Sequence, residues 1–296
     1  NVRNPEKQLS FDSKGRAEIG MPTEIWGKDG MHRARAWMDL YENAVEYGLD
    51  QEEVGERLIN VVFYWGAEIG EEVNTFFDVN NNAKSIPTGN KLEIDAYLTR
   101  IGAPHHDGDP LLMHIDDLVK DLATIPQWEG KVQWPNLGAN VIPSSALTRS
   151  CMEIFSEGSA LDGMQNDERL ELLTTVWQAI EVVFPEVFAD PNKKKYSLQK
   201  AIGVSVVHKL VPKIYMKMFR ESGMNVEEFS KHVMQVDLWV KFYEKMRTHS
   251  DTNQDGADVD GLQFWLSGKS GAAGSYSSGA GRNTLTKIYS NLVLGK

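Results

Sequence analysis

The sequence predicts an α+β protein, in which an α/β unit over residues 1–90 precedes a mostly helical region over residues 91–296. Three observations lead to this prediction. Short extended runs surround one periodic helix before Pro87, and long runs with apolar residues at every third or fourth position follow it. In addition, 41% of the residues are hydrophobic, which is enough for a sizeable core.

The first predicted elements are short strands. Extended stretches at Gln8 to Phe11 and Ala17 to Ile19 flank the turn sequence Asp12-Ser13-Lys14-Gly15, as in a β-hairpin. A further extended run, Thr23 to Trp26, leads into an Asp-Gly turn.

A helix, a strand and a second helix complete the predicted N-terminal unit. From His32 to Tyr47 apolar residues recur with helical spacing, and we expect this helix to stop near Gly48. Leu58 to Trp65 is a nearly continuous apolar run rich in β-branched and aromatic residues, which is typical of a buried strand. Glu71 to Asp78 again has helical spacing.

Beyond Pro87 the periodicity is almost wholly helical. The predicted helices are Lys91 to Ile101, Pro110 to Leu122, Ser144 to Phe155, Asp167 to Phe184, Leu198 to Glu221, Val226 to Met246 and Asn283 to Leu294. The Gly/Ser-rich segment 267–281 is predicted to be a flexible loop.

Composition excludes several classes of protein. The 31 Lys and Arg residues against 42 Asp and Glu residues give a net charge of −11, which argues against a general nucleic-acid binder but leaves room for a local basic groove. The single cysteine, Cys151, excludes an internal disulfide and suggests a buried apolar side chain. No apolar run is long enough for a membrane span and no signal peptide is recognisable, so we expect a cytoplasmic protein without a membrane partner.

The pentapeptide Asp29-Gly30-Met31-His32-Arg33 has the character of an anion-binding turn. Asp-Gly makes a tight turn, and the following helix would offer unpaired N–H groups and the positive end of its dipole. Arg33 and His32 would flank that position with a guanidinium and an imidazole. The alternative is a capped strand-to-helix turn with two solvated polar side chains.

Three further stretches follow the pentapeptide in a characteristic order. They are Phe76-Phe77-Asp78-Val79-Asn80 followed by Lys84, Trp177-Gln178-Ala179-Ile180 with Phe184-Pro185-Glu186, and Ala201-Ile202-Gly203-Val204. Together these stretches resemble the DGQHR-domain family, whose N-terminal part belongs to the ParB and sulfiredoxin fold group. Met31 stands where the family name has glutamine. Family members usually have more chain before the hairpin, so we expect an upstream segment before Asn1.

The resemblance implies a nucleotide site. By position, Asp29, His32 and Arg33 would be the catalytic residues, with Asp29 also binding Mg²⁺. The resemblance further implies that a nucleotide, ATP or another NTP, is bound by Lys28, Gly30, Asn80, Asn82 and Lys84.

The resemblance also implies a setting, because several relatives occur in DNA-modification and phage-defence systems, including DNA phosphorothioation and deazaguanine insertion. The first functional interpretation is therefore a nucleotide-binding component of such a system that hydrolyses ATP. A second is a non-catalytic DNA-binding regulator, and a third is a ParB-fold kinase acting on a small molecule or modified base. Expected partners are a nucleotide, DNA and other DNA-modification proteins.

Other motifs favour structural interpretations. Asp251 to Gly256 has the first half of a calcium loop but lacks its final acid, so an acidic surface turn is favoured. His105-His106 is favoured as a solvated loop over a metal site. Lys193 to Lys195 is typical of a wet surface, and Trp128 and Trp134 are expected to pack on the helical core rather than to stack on a base.

Overall fold

The computed structural model describes residues 9–11, 17–19, 31–57, 70–73, 75, 88–103, 108–135 and 140–295. It divides the chain into two units, one formed by Asn1–Ile86 with Ile101–Asp107 and the other by Pro87–Arg100 with Gly108–Lys296. Within the described ranges most residues are helical and the strands are short. The mixed α and β content agrees with the sequence-based expectation at that coarse level.

The first unit contains the predicted hairpin. Strands β1 (Leu9–Phe11) and β2 (Ala17–Ile19) are antiparallel, with Leu9 opposite Ile19. Helix α1 (Met31–Glu42) follows, then α2 (Gln51–Gly55), whose first N–H groups are capped by Asp50. Residues 70–73 and 75 are also helical, as predicted. The predicted strands Thr23 to Trp26 and Leu58 to Trp65 lie outside the described residues, so a ParB-like unit stays a prediction.

Helix α1 is shorter than predicted. It ends at Glu42, and residues 43–48 form turns that close at Gly48 with φ of 72°. The Asn43 side chain donates to the Asp39 carbonyl oxygen, and the Leu49 N–H donates to the Ala44 carbonyl oxygen. The turns therefore supply hydrogen-bond donors to carbonyl groups at and after the end of the helix. Apolar spacing persists through these turns, which is why periodicity alone overextended the helix.

The second unit is a helical assembly with two small strand pairs. Its helices are α3 (Thr88–Arg100), α4 (Pro110–Leu122), α5 (Ser144–Phe155), α6 (Asn166–Val183), α7 (Pro185–Ala189), α8 (Ala201–Ser222), α9 (Val226–His232), α10 (Val236–Tyr243), α11 (Gly261–Phe264) and α12 (Gly279–Leu294). Strand β3 (Val132–Gln133) pairs in parallel with β4 (Ile142–Pro143), and β5 (Ser250–Thr252) pairs in antiparallel with β6 (Asp258–Asp260). The predicted bounds of α4 and α5 are confirmed.

The single helix predicted over Val226 to Met246 is wrong. The chain breaks at Val233 to Gln235 into α9 and α10, and a short 3₁₀ segment, Glu244–Thr248, follows. The indole N–H of Trp239 donates to the Val233 carbonyl oxygen at 2.7 Å, so a side chain replaces the helical bond at the break. The break lets buried Trp239 enter the core alongside α6.

The core lies around α6 and α8. Trp177, Ala179 and Ile180 of α6 are fully buried, and so is Phe184 directly after it. Trp128 meets Trp177 edge to face with ring centroids 4.6 Å apart, and Trp134 packs on the same core, as expected from the sequence. Cys151 is also buried there, and burial raises the pKa of its thiol to about 12.

The centre of the Gly/Ser-rich segment is packed against the protein, although most of the residues around it are exposed, and the flexibility expected of the segment stays a prediction. Gly271, Ala272 and Ala273 are buried, and a Cβ on Gly271 would overlap the Leu266 carbonyl group. The 3₁₀ turn Ala273–Tyr276 then leads into α12. Small residues occur here because backbones approach each other closely.

Candidate functional site

Helices α8 and α12 lie side by side and run in the same direction. Lys209 of α8 donates to the Asn283 side-chain oxygen at 2.9 Å, and further along Lys213 donates to the Ser290 hydroxyl at 3.4 Å. Helix α5 lies against the beginning of α8, where Glu153 meets Lys209 at 2.9 Å. Three helices therefore meet near Lys209.

A continuous groove follows this helix pair. It starts in a cleft of about 320 Å³ between α5, α8 and α12, passes a middle section of about 400 Å³, and ends in a wider section of about 610 Å³. The first two sections share Lys209 and Asn283, and the last two share Pro212 and Lys213. From Ala201 to Arg220 the groove extends over roughly 28 Å of helix.

The lining of the groove is strongly basic. Its cationic residues are Arg149, Lys209, Lys213, Lys217, Arg220, Arg282 and Lys287, and its carboxylates are Glu153 and Glu221. Seven cations against two carboxylates contrast with a chain whose net charge is −11. We call this surface the basic groove.

Helical spacing brings the cations of α8 to one face. Lys209, Lys213, Lys217 and Arg220 follow one another at intervals of four, four and three residues, so each lies about one turn beyond the last. Successive cationic residues are therefore about 4.5–6 Å apart along the axis. Like charges at this spacing repel each other, and a bound polyanion would relieve that repulsion.

Few of these charges are neutralised within the protein. Glu153 pairs with Lys209, and Glu221 pairs with Lys217 at 2.6 Å. Arg149, Arg220, Arg282 and Lys287 make no ion pair with any residue in the part of the chain that the structure describes. Their charge is available to a ligand.

A buried chain of hydrogen bonds reaches the cleft. The Trp177 indole N–H donates to His208 Nε2 at 3.1 Å, and His208 Nδ1 lies 2.9 Å from the Ser150 hydroxyl. Burial lowers the pKa of His208 to about 3, so its ring is neutral at ordinary pH. Because an indole can only donate, Nε2 is the acceptor and the single ring proton is on Nδ1. His208 therefore donates to Ser150 and cannot act as its base, which excludes a Ser–His nucleophile here.

The structure leaves the sequence-predicted nucleotide site largely outside the described residues. Lys28, Asp29, Gly30, Asn80, Asn82 and Lys84 all lie there. Helix α1 begins at Met31, so His32 and Arg33 are in its first turn, as expected, and only their backbone is described.

The acidic sequence Asp251 to Gly256 spans the end of β5 and the turn of the β5–β6 hairpin. The Asn253 side-chain oxygen accepts from the N–H groups of Asp255 and Ala257 at 3.0 and 2.9 Å, and Asp251 accepts from the Tyr276 hydroxyl. Turn formation thus accounts for the Asn and Asp residues. Over the described ranges no group of three or more His, Cys, Asp or Glu could hold a metal ion, and His105-His106 lies outside them.

Sequence reasoning missed the residues of the basic groove, although a signal is present. Residues 191–220 and 261–296 contain no Asp or Glu, yet they hold 12 of the 31 Lys and Arg residues. These two acid-free segments include all of the groove's cations except Arg149. Charge distribution along the chain, rather than net charge, would have indicated the groove.

Comparisons of this chain with protein-family models, curated proteins and solved structures found no match. Among the described helices, none combines the length and apolar character required to cross a bilayer.

Proposed function

We propose that this chain is a nucleic-acid-binding component of a DNA-modification or phage-defence system, and that the basic groove holds the sugar–phosphate backbone. The observation that carries the proposal is the row of seven cations along α5, α8 and α12. A phosphate backbone is a regular row of negative charges, and neutralising it releases counterions, which drives binding.

The charge of the whole chain favours binding at one place. With a net charge of −11, the protein as a whole repels a polyanion. A basic groove within such a surface therefore acts as a local site and does not make the chain a general nucleic-acid binder. The setting in DNA modification comes from the DGQHR-family resemblance alone.

Fluorescence anisotropy of a labelled 12-nucleotide DNA strand, and of its duplex, tests the proposal. If about four phosphates are neutralised, the affinity for the single strand should fall with a log–log salt slope of roughly −3, or about 60-fold between 50 and 200 mM salt. If the protein bound neither the single strand nor the duplex at 50 mM salt, this result would contradict the proposal. Binding that did not depend on salt would contradict it equally.

A second candidate function is nucleotide binding at Asp29 to Arg33. It is favoured by the start of α1 at Met31, directly after Asp29-Gly30, which puts His32 and Arg33 in the turn where helical N–H groups are unpaired. Lys28, Gly30, Asn80, Asn82 and Lys84 would contact ATP or another NTP, and Asp29 would hold Mg²⁺, which supplies charge neutralisation at the phosphates. Such a nucleotide site would be required both for ATP hydrolysis and for a kinase activity.

Arg33→Ala tests the second candidate by isothermal titration with ATP and Mg²⁺. Loss of a guanidinium from a phosphate site should weaken binding at least tenfold. Arg35→Ala, at an exposed position on the same helix, is the matched control and should bind as the wild type does. Equal affinities of the wild type, Arg33→Ala and Arg35→Ala for ATP would exclude Arg33 from the nucleotide site. Analysis of the reaction products would distinguish hydrolysis of ATP from phosphoryl transfer to an acceptor.

A further inference from the structure

We propose that the cleft at the start of the basic groove holds the terminal phosphate of a nucleic-acid strand, with the Ser150 hydroxyl as a positioned donor. The inference rests on the proposed function and names the strand end as the ligand of this part of the groove. The cleft is lined by α5, the first half of α8 and the first turn of α12.

The buried hydrogen-bond chain runs from Trp177 through His208 to Ser150. The Ser150 oxygen accepts a hydrogen bond from His208 Nδ1–H, so the O–H of Ser150 is still free to donate. Helical Ser and Thr residues commonly donate to the carbonyl four residues earlier, as Thr148 does at 3.1 Å and Thr286 does at 2.8 Å. Ser150 makes no such bond within the described part of the chain.

Burial fixes this hydroxyl in place. Ser150 is 7% exposed, and the small exposed part lines the cleft. His208, which bonds the Ser150 oxygen, and Trp177, which bonds His208, are both fully buried. Because Ser150 lines the cleft, its free O–H can rotate towards an acceptor bound there, such as a phosphate oxygen.

Cationic side chains surround the same cleft. Arg149 comes from α5, Lys209 from α8 and Arg282 from α12, so cations approach the cleft from three helices. Lys209 donates to Glu153 and Asn283, each at 2.9 Å, and keeps its third N–H for a ligand. A terminal phosphate carries a charge between −1 and −2 and has three accepting oxygens, whereas a phosphodiester has one charge and two such oxygens. Three cations offset by the single Glu153 carboxylate leave a net charge of +2, which together with the O–H donor matches the terminal group better.

The beginning of α12 adds a favourable dipole. Gly279, the first residue of α12, lines the cleft, and Ser278 caps the helix by accepting from the Gly281 N–H at 3.0 Å. The positive end of a helix of this length favours an anion beside it. From the cleft, the groove continues past Lys213 and Lys287. A strand whose end is in the cleft would thus extend along α8.

The test compares 12-nucleotide strands of one sequence with a 5′-phosphate, a 3′-phosphate or hydroxyl ends, together with inorganic phosphate as a competitor. We expect one phosphorylated strand to bind about tenfold more tightly than the hydroxyl-ended strand. The double variant Arg149→Gln/Arg282→Gln should lose this preference, whereas Arg220→Ala, at the far end of the groove, should weaken all strands and keep the preference.

Ser150→Ala is expected to reduce the preference at least threefold, with Ser156→Ala, directly after α5 and outside the groove lining, as the matched control. Since Ser150→Ala also leaves His208 without its acceptor, melting temperatures are measured in parallel, and the arginine double variant provides the test if the serine variant does not fold.

The outcomes separate the two proposals. Equal binding of all three strands would overturn the terminal-phosphate inference and leave nucleic-acid binding intact. Equal binding combined with Arg149-dependent binding of inorganic phosphate would show that the cleft takes free phosphate, which also overturns the strand-end assignment. Absence of binding by every strand would overturn the proposed function itself.

Discussion

At the scale of single residues, His208 shows how a buried polar group is tolerated. Both ring nitrogens have partners, Trp177 and Ser150, so the neutral ring is fully satisfied within a hydrophobic core. A charged ring would lose the bond from Trp177, because Nε2 would then be a donor facing a donor. The arrangement therefore requires the neutral form, in agreement with a pKa lowered by burial.

This requirement predicts acid sensitivity. In the unfolded chain His208 takes up a proton near its ordinary pKa of 6.5, whereas in the folded protein it stays neutral until about pH 3. The unfolded state therefore binds more protons in this window, and the free energy of unfolding falls as the pH is lowered from 6.5 towards 3. Urea unfolding at several pH values should show a shallower decline for His208→Gln than for the wild type.

The matched control for that series is His232→Gln, which removes the half-buried histidine that is the last residue of α9. Its unfolding free energy should decline with acid as steeply as that of the wild type. An equally steep decline in His208→Gln would show that the buried ring does not contribute to acid sensitivity.

At the scale of elements, the first turn of α12 contains two glycines with different roles. A Cβ on Gly281 would come within 2.8 Å of Tyr276 Cα, so the glycine permits the close approach of the preceding 3₁₀ turn. A Cβ on Gly279 would meet nothing within 4 Å. The same residue type is thus required at one position and replaceable two residues earlier.

The two glycines predict opposite effects of the same substitution. Gly281→Ala should lower the free energy of unfolding by roughly 1–3 kcal/mol, because backbone atoms must move apart. Gly279→Ala should leave it unchanged or raise it by up to about 1 kcal/mol, because alanine favours the helix. Chemical denaturation measures both changes. Equal destabilisation by the two variants would contradict the packed first turn of α12.

The sequence was sufficient to predict some elements and insufficient for others. Apolar periodicity predicted α4 and α5 because their buried faces follow helical spacing without interruption. It could not predict the break between α9 and α10, which depends on a tertiary hydrogen bond from Trp239. The Gly/Ser-rich composition before α12 suggested flexibility, but burial of Gly271 and Ala273 depends on neighbours distant in sequence.

At the scale of the whole molecule, charge is unevenly distributed. The chain is acidic overall, yet the parallel pair α8 and α12 contains one carboxylate, Glu221. The sequence contains this asymmetry as two acid-free segments, but only the fold shows that they lie side by side. The net charge of the chain therefore could not predict the groove. Counting charges separately in each segment of the sequence could have identified its cations. The nucleotide site at Asp29 to Arg33 stays a prediction.

The measurement that tests the central claim most directly is strand affinity in matched charge-reversal variants. Arg220→Glu/Lys287→Glu alters two exposed groove positions, and Lys194→Glu/Lys231→Glu makes the same charge change at exposed positions outside the groove. We predict that the groove variant binds a 12-nucleotide strand about 100-fold more weakly at 50 mM salt and with a shallower salt slope, whereas the control stays within about threefold of the wild type. Equal weakening of both variants would mean that net charge alone governs binding, and it would contradict a basic groove built to hold a phosphate backbone.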